Sequence, residues 1–233
     1  QQVTGINVVL YYAPRIFESA GVIATDAIND TVIVGIVNLS FTVIAYWTVD
    51  RFGRKPLLVI ASAGMGISLV LLGIAFLLSV PGRRVWFELL GLTFGIASEE
   101  TGVVVDIVGF SFVIEQLNTF ILLFILTYVA SFAVAMGPVV WVVISEIFPT
   151  HIRGRAMSVA VVCLWISCFL VSQFFPFMLE NLQGSAFFVY AFMCAVCFFF
   201  VLVLLPETKG KTLEEIEQSW SWSRPAATSA EPE

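Results

Sequence analysis

Charged side chains are scarce in this sequence: 11 Lys and Arg, 17 Asp and Glu and one His among 233 residues, 12% charged in all. A water-dispersed domain of that length needs a polar surface that such a composition does not supply, so a soluble globule is excluded. The few cations and the net charge of -6 also exclude a nucleic-acid footprint. The single histidine, His151, has no nucleophile beside it, and no Gly-rich phosphate loop or ligand cluster is present. Neither an enzyme constellation nor a cofactor nor a metal site is therefore expected. Cysteine is sparse as well, and Cys163, Cys168, Cys194 and Cys197 all fall inside apolar runs. Cys194 and Cys197 have a metal-like spacing but no companion ligand, which leaves core packing as the expectation.

What the chain has instead is hydrophobicity: 59% apolar residues and a mean hydropathy of +0.98. Apolar runs of about 20 residues are the signature of bilayer-crossing helices. The expected fold class is an all-α, polytopic membrane protein with six transmembrane helices. The spans are placed at residues 1–19, 27–49, 57–80, 119–148, 156–179 and 185–205. They form a bundle over 1–205, followed by a polar segment at 206–220 and a Ser-, Ala-, Pro- and Glu-rich tail at 221–233, expected to be disordered. Residue 1 is not Met, and Gln1 and Gln2 run into an apolar helix with no signal-peptide pattern, so a piece of a longer chain is expected.

With six spans, Arg51, Arg54, Lys55, Arg153, Arg155, Lys209, Lys211 and Arg224 fall on one side, and Arg15, Arg83 and Arg84 on the other. The positive-inside rule makes the richer side, and with it the C-terminus, cytoplasmic. The connection at about 81–118 then lies outside. Its apolar pieces are too short to cross and are broken by Glu99, Glu100 and Asp106, which predicts an interfacial helix or hairpin on the outer face.

Polar groups at membrane depth are few. The first span carries Gln1, Gln2, Thr4, Asn7, Tyr11 and Tyr12. Amides there either tie helices together or bind a hydroxyl-rich ligand, since each offers donors and an acceptor. On a straight helix Gln2 and Asn7 lie about 140° apart, so sharing one ligand requires a break, for which Gly5 and Pro14 are the candidates. Gly137-Pro138 interrupts the fourth span, with Trp141 one turn on, placed either to stack on a ligand or to pack. Trp165 lies mid-helix in the fifth span. Asp50, Arg51, Arg54, Glu146, Arg153, Arg155 and Glu207 gather at the cytoplasmic helix ends, as a latch between two states or as a static surface network.

Four ordered motifs, QQVTGINVVLYY, VDRFGRKPLL, GPVVWVVISEIFPTHIRGRA and PETKGKTLEEIE, together resemble the sugar porter family of the major facilitator superfamily. The likeness is to its C-terminal six-helix half, and within the family to bacterial D-xylose–proton symporters. The resemblance implies that Gln1, Gln2 and Asn7 bind sugar hydroxyls, Trp141 stacks on the ring, Gly137 gives room and Trp165 lines the cavity. It implies gating by Tyr11, Tyr12 and Pro138 and a cytoplasmic latch of Asp50, Arg51, Arg54, Glu146, Arg153, Arg155 and Glu207. Leu164 stands where the family usually has a polar residue, which puts one sugar contact in doubt. The implied partners are a monosaccharide, protons, membrane lipid and a missing N-terminal six-helix half, which carries the proton-coupling acid. The implied location is a bacterial inner membrane. A non-transporting sensor of the same fold, or an inactive partial gene product, would carry the same motifs.

Overall fold

The computed structural model describes residues 1–78, 84–89, 92–99, 102–107, 110–114, 117–148 and 150–210. The rest of the segment at 206–220 and the tail at 221–233 lie outside the described residues. The first span is a broken rod. A 3-10 turn, Gln2–Thr4, ends at Gly5 with φ 92°; α1 (Ile6–Tyr11) follows, and Tyr12 separates it from α2 (Ala13–Ser19). A left-handed φ is open to glycine at little steric cost, which is why the chain bends at Gly5. Pro14 falls in the first turn of α2, where its missing N–H breaks no helical bond.

Beyond it come α3 (Ala24–Phe52), α4 (Arg54–Leu78), α5 (Leu117–Ser131), a π turn (Phe132–Met136), α6 (Gly137–Glu146), α7 (Arg153–Leu182) and α8 (Ser185–Leu204). With α5 through α6 taken as one rod, five helices among the described residues are long and apolar enough to cross a membrane. The core forms around α4, which packs against α8 and α5. Met65, Leu69 and Leu72 are fully buried there, and Phe76 meets Phe187 with ring centroids 5.0 Å apart. The turn Gln2–Thr4 lies against α7 and α8, α1 runs along α7, and α2 rests on α3. Most of α3 and α7 is bare and apolar, with Trp47 and Phe169 among their exposed side chains. A helix apolar on its open face wants lipid or another protein surface there.

Two boundaries differ from expectation. The polar turn foreseen at 50–56 shrinks to Gly53 alone, at φ 91° and ψ 163°. Asp50 and Arg51 belong to the last turn of α3, and Arg54 opens α4 with Pro56 in its first turn. Likewise Arg153 and Arg155 stand in the first turn of α7 and not in a loop.

The connection between α4 and α5 departs further. Instead of an interfacial helix or a single hairpin it forms four antiparallel strands, β1 (Arg84–Leu89), β2 (Leu92–Glu99), β3 (Gly102–Ile107) and β4 (Phe110–Ile114), in the order β1-β2-β3-β4. The physical reason is the content of Val, Ile, Phe and Thr, which favours a pleated surface, and the two-residue links between strands, which suit hairpins.

Candidate functional site

The break at Gly5 brings Gln2 and Asn7 together. The Asn7 amide donates to Gln2 Oε1 and also lies 3.0 Å from Cys168 Sγ on α7. Gln2 Nε2 points to Gln1 Oε1 at 3.4 Å, and Gln1 Nε2 donates to Met136 O at 2.7 Å, beside the π turn. Three side-chain amides thus run in series from α1 to the start of α6. Asn7 turns its second hydrogen to Cys168 Sγ and Gln1 lies 3.4 Å from a second carbonyl, Gly137 O, whereas Gln2 Nε2 keeps a hydrogen beyond this series, and the amide oxygens have lone pairs to accept with.

Carbonyls freed by helix breaks are met by tyrosine hydroxyls. Gly5 interrupts the ladder above Thr4, and Tyr128 of α5, fully buried, donates to Thr4 O at 2.9 Å. Pro176 inside α7 has no N–H for Ser172 O, and Tyr12 donates there at 3.2 Å. Tyr12 also packs its ring 5.4 Å from Phe175. The role of Tyr128 was invisible in sequence, because its partner lies 124 positions away. Tyr128→Phe is expected to cost about 1–3 kcal/mol, the penalty of an unsatisfied buried carbonyl, since only a long Cys194 thiol contact of 3.9 Å remains. Thermal unfolding of the detergent-solubilised chain checks it; Tyr12→Phe, at a less buried site, should cost less.

Beside the amide row lies a groove of about 240 Å³, lined by Gln1, Gln2 and Val3, by Val140 and Ile144 of α6, and by Ala160, Cys163, Leu164 and Ser167 of α7. Two larger grooves, of about 470 and 550 Å³, have almost wholly apolar walls. Those suit acyl chains better than a polyol, so the smaller, more polar groove is the better ligand site. Of the expected residues, Gln1 and Gln2 line it and Asn7 stands behind Gln2. Trp141 and Trp165 are 42% and 54% exposed and stand outside its lining. Gly137 offers its carbonyl 3.4 Å from the Gln1 amide, and Pro138 follows it in the first turn of α6. Tyr11 is exposed. Leu164 contributes a wall without a donor, whereas Ser167 adds a hydroxyl.

At the far end, Arg54 Nη2 pairs with Glu146 Oε1 at 3.0 Å, with Asp50 a looser neighbour at 3.9 Å. Glu146 Oε2 accepts from Thr208 Oγ1 at 2.6 Å. Glu207 caps α4, accepting the backbone N–H of Arg54 at 3.0 Å and of Lys55 at 3.1 Å. A side chain on Gly53 would foul this cap, since a Cβ there would stand 2.9 Å from Glu207 Oε2. Lys209 Nζ reaches Arg51 O at 2.6 Å. Arg153 turns to Phe148 O at 3.3 Å and leaves its Nη2 buried without a partner, and Arg155 is exposed. Geometry therefore joins Arg54, Glu146 and Glu207, and adds Thr208 and Lys209, which sequence reading did not single out.

Burial alone would push the Glu207 carboxyl up. The N–H groups of Lys209, Arg54, Lys55 and Thr208 outweigh it and hold the group below its ordinary 4.5. A depressed carboxyl contributes stability above the unfolded value and loses it as pH falls through the folded value. The stability gap between the native chain and Glu207→Gln should therefore be constant well above pH 4.5 and close below it. Unfolding curves across that range test the sign; a gap that widens in acid would refute it.

Among the described residues no His, Cys, Asp and Glu group could hold a metal ion. A family model described as "Sugar (and other) transporter" matches residues 1–220. The chain is 41% identical to the D-xylose-proton symporter of Escherichia coli (strain K12), covering 94% of this chain and 39% of that protein. It is 37% identical to the arabinose-proton symporter of Bacillus subtilis (strain 168), covering 94% and 40%. Among solved structures, the inward-open xylose transporter from E. coli superposes with a TM-score of 0.70 at 40% identity, over 94% of this chain and 39% of that one. A structure described as the major facilitator superfamily proton:xylose symporter bound to 6-bromo-6-deoxy-D-glucose gives a TM-score of 0.71 at 40% identity, over 94% and 40%. The chain spans about 40% of the length of these relatives.

Proposed function

Since the chain belongs to the sugar (and other) transporter family, we propose that it is the C-terminal six-helix half of a monosaccharide transporter. The substrate is a pentose or hexose, carried by alternating access between this half and an N-terminal one, in symport with protons. The observation that carries the reading is the amide row Gln1–Gln2–Asn7, opened by the break at Gly5 onto a groove that also holds Ser167. Sugar hydroxyls donate and accept at once, as side-chain amides do. Relatives named as D-xylose- and arabinose-proton symporters support both the substrate class and the coupling. Trp141 and Trp165, bare in this half, would stack on and border the sugar once the second half closes the site.

Tyr11, Tyr12 and Pro138 act as gating elements on the outer side, and the Arg54–Glu146–Thr208 set with Glu207 acts as the latch. Arg51, Arg54, Lys55, Arg153, Arg155 and Lys209 at the latch end support a cytoplasmic C-terminus. The location we infer is a bacterial inner membrane.

Uptake of labelled pentoses and hexoses by the full-length protein, with Gln2→Ala and Trp141→Ala, tests the site. Losing interactions worth about 1–3 kcal/mol should cut uptake about 5- to 150-fold at subsaturating sugar. Uptake unchanged in both variants would remove the site assignment.

A further inference from the structure

The sheet between α4 and α5 has two unlike faces. Strand register places Val85, Phe94, Val105 and Phe112 on one face, in two adjacent rows: Val85 pairs with Ile96, Ile96 with Val105 and Val105 with Phe112, while Phe94 lies opposite Phe87 and Ile107. Apart from Ser98, every residue on that face is Val, Leu, Ile or Phe. The four charged residues of the strands, Arg84, Glu88, Glu99 and Asp106, all take positions on the other face. That second face is mixed, with Trp86, Val104 and Val113 beside the charges, so it is the charge that is fully segregated, as an alternation of period two in phase across the four strands allows.

Its tethers fix where the sheet can be. Leu78 ends α4 six positions before Arg84, and Leu117 opens α5 three positions after Ile114. At the extended limit these links reach about 20 Å and about 10 Å. α4, and the rod that α5 makes with α6, are each long and apolar enough to cross the membrane, so the sheet is held at the membrane surface, at the bundle end away from the Arg54–Glu146 pair. It cannot go deeper. Its longest strand has eight residues, against the about 9–11 of a spanning strand, and the outer edges of β1 and β4 leave backbone groups that hydrocarbon cannot satisfy. An apolar face large enough to need cover, tethered at a lipid surface, has that surface as its nearest apolar neighbour.

We propose that the apolar face of this sheet lies on the lipid surface at that end of the bundle, with the charged face turned to water. The occupant is the interfacial layer of the bilayer. The apolar face carries no cation, so apolar burial and not headgroup charge drives the contact.

Spin labelling of the full chain in phosphatidylcholine vesicles tests this, with its four cysteines replaced by alanine and single labels at Phe94→Cys, Phe112→Cys or Thr93→Cys. A label at Phe199→Cys, exposed on α8, sets the lipid value. The expected result is severalfold higher oxygen than nickel-chelate accessibility at 94 and 112, reversed at 93, and unchanged when anionic lipid is added. Equal accessibility at 93 and 94, or a requirement for anionic lipid, would overturn it. So would labels at 94 and 112 shielded from both reagents: with spin–spin broadening the face joins a second copy, and without broadening it covers the bundle. Two labelled positions on different strands guard against one substitution simply disturbing the sheet.

Discussion

Gly5→Ala is expected to abolish sugar uptake by the full-length protein while leaving its helices inserted. Two costs meet at this residue. A side chain at φ +92° is strained by about 1–2 kcal/mol. The added Cβ would also stand 2.7 Å from Cδ1 and 3.0 Å from Cγ of Tyr190. That ring is not free to yield: it lies 6.1 Å from the Phe175 ring, and its hydroxyl meets Met178 Sδ at 3.9 Å. Overpacking of this kind costs about 1–3 kcal/mol more. The chain's cheapest relief is to straighten the first span, which returns Gln2 and Asn7 to about 140° of separation and dismantles the amide row. Gly21 is the internal control, since it has φ +90° and nothing within 4 Å of the place an added methyl would take. Gly21→Ala should show the strain alone and keep its uptake. Wild-type uptake in Gly5→Ala would mean that the break does not build the site.

Arg54→Ala is the second large effect, and it falls on stability. The Arg54 and Glu146 side chains are 15% and 23% exposed at a separation of 3.0 Å. Removing one member of a buried pair costs about 3–5 kcal/mol because the other charge is stranded. The remaining exposure of Glu146 lets water in, so about 1–3 kcal/mol is the discounted expectation. Asp50 adds little, being 85% exposed and 3.9 Å away. The Arg54 backbone N–H still reaches Glu207, so the cap on α4 survives the substitution. For a chain of this size that is a fall of roughly 3–10 °C in unfolding temperature. Arg54→Ala should cost markedly less in a Glu146→Gln background. Additive losses would show that the pair is not what Arg54 contributes.

How much of this was legible in sequence depends on the distance over which partners act. The helix break was readable because its causes are local: Gly5, and amides that no straight helix could bring together. The spans were readable from apolar length alone. The corner at Gly53 was drawn too wide, because polar residues at 50–56 look like loop when they are in fact two helix ends meeting. Tyr128 could not be found, since a buried hydroxyl on an apolar segment carries no signal until a distant carbonyl arrives beside it, and Thr208, one threonine in a polar segment, carries none until a distant carboxylate does. The strands at 84–114 did leave a trace. Their charges keep to one face in register, but Trp86, Val104 and Val113 share that face, and Val103-Val104-Val105 and Leu89-Leu90 read as short apolar runs, which in a membrane chain invite a helical reading.

The π turn at Phe132–Met136 has a consequence for anyone who compares sequences across it. Gly137 N–H bonds to Phe132 O, five residues back, so the turn holds one residue more than an α-helix would. Every position after it is displaced by about 100° from a wheel drawn continuously from Leu117. Trp141, Glu146 and the groove residues Val140 and Ile144 must therefore be counted from Gly137, on their own wheel. A one-residue deletion within the turn would therefore leave a regular rod whose side chains beyond Gly137 keep their facing, whereas a one-residue deletion just after Gly137, with the turn retained, would swing them by about 100°.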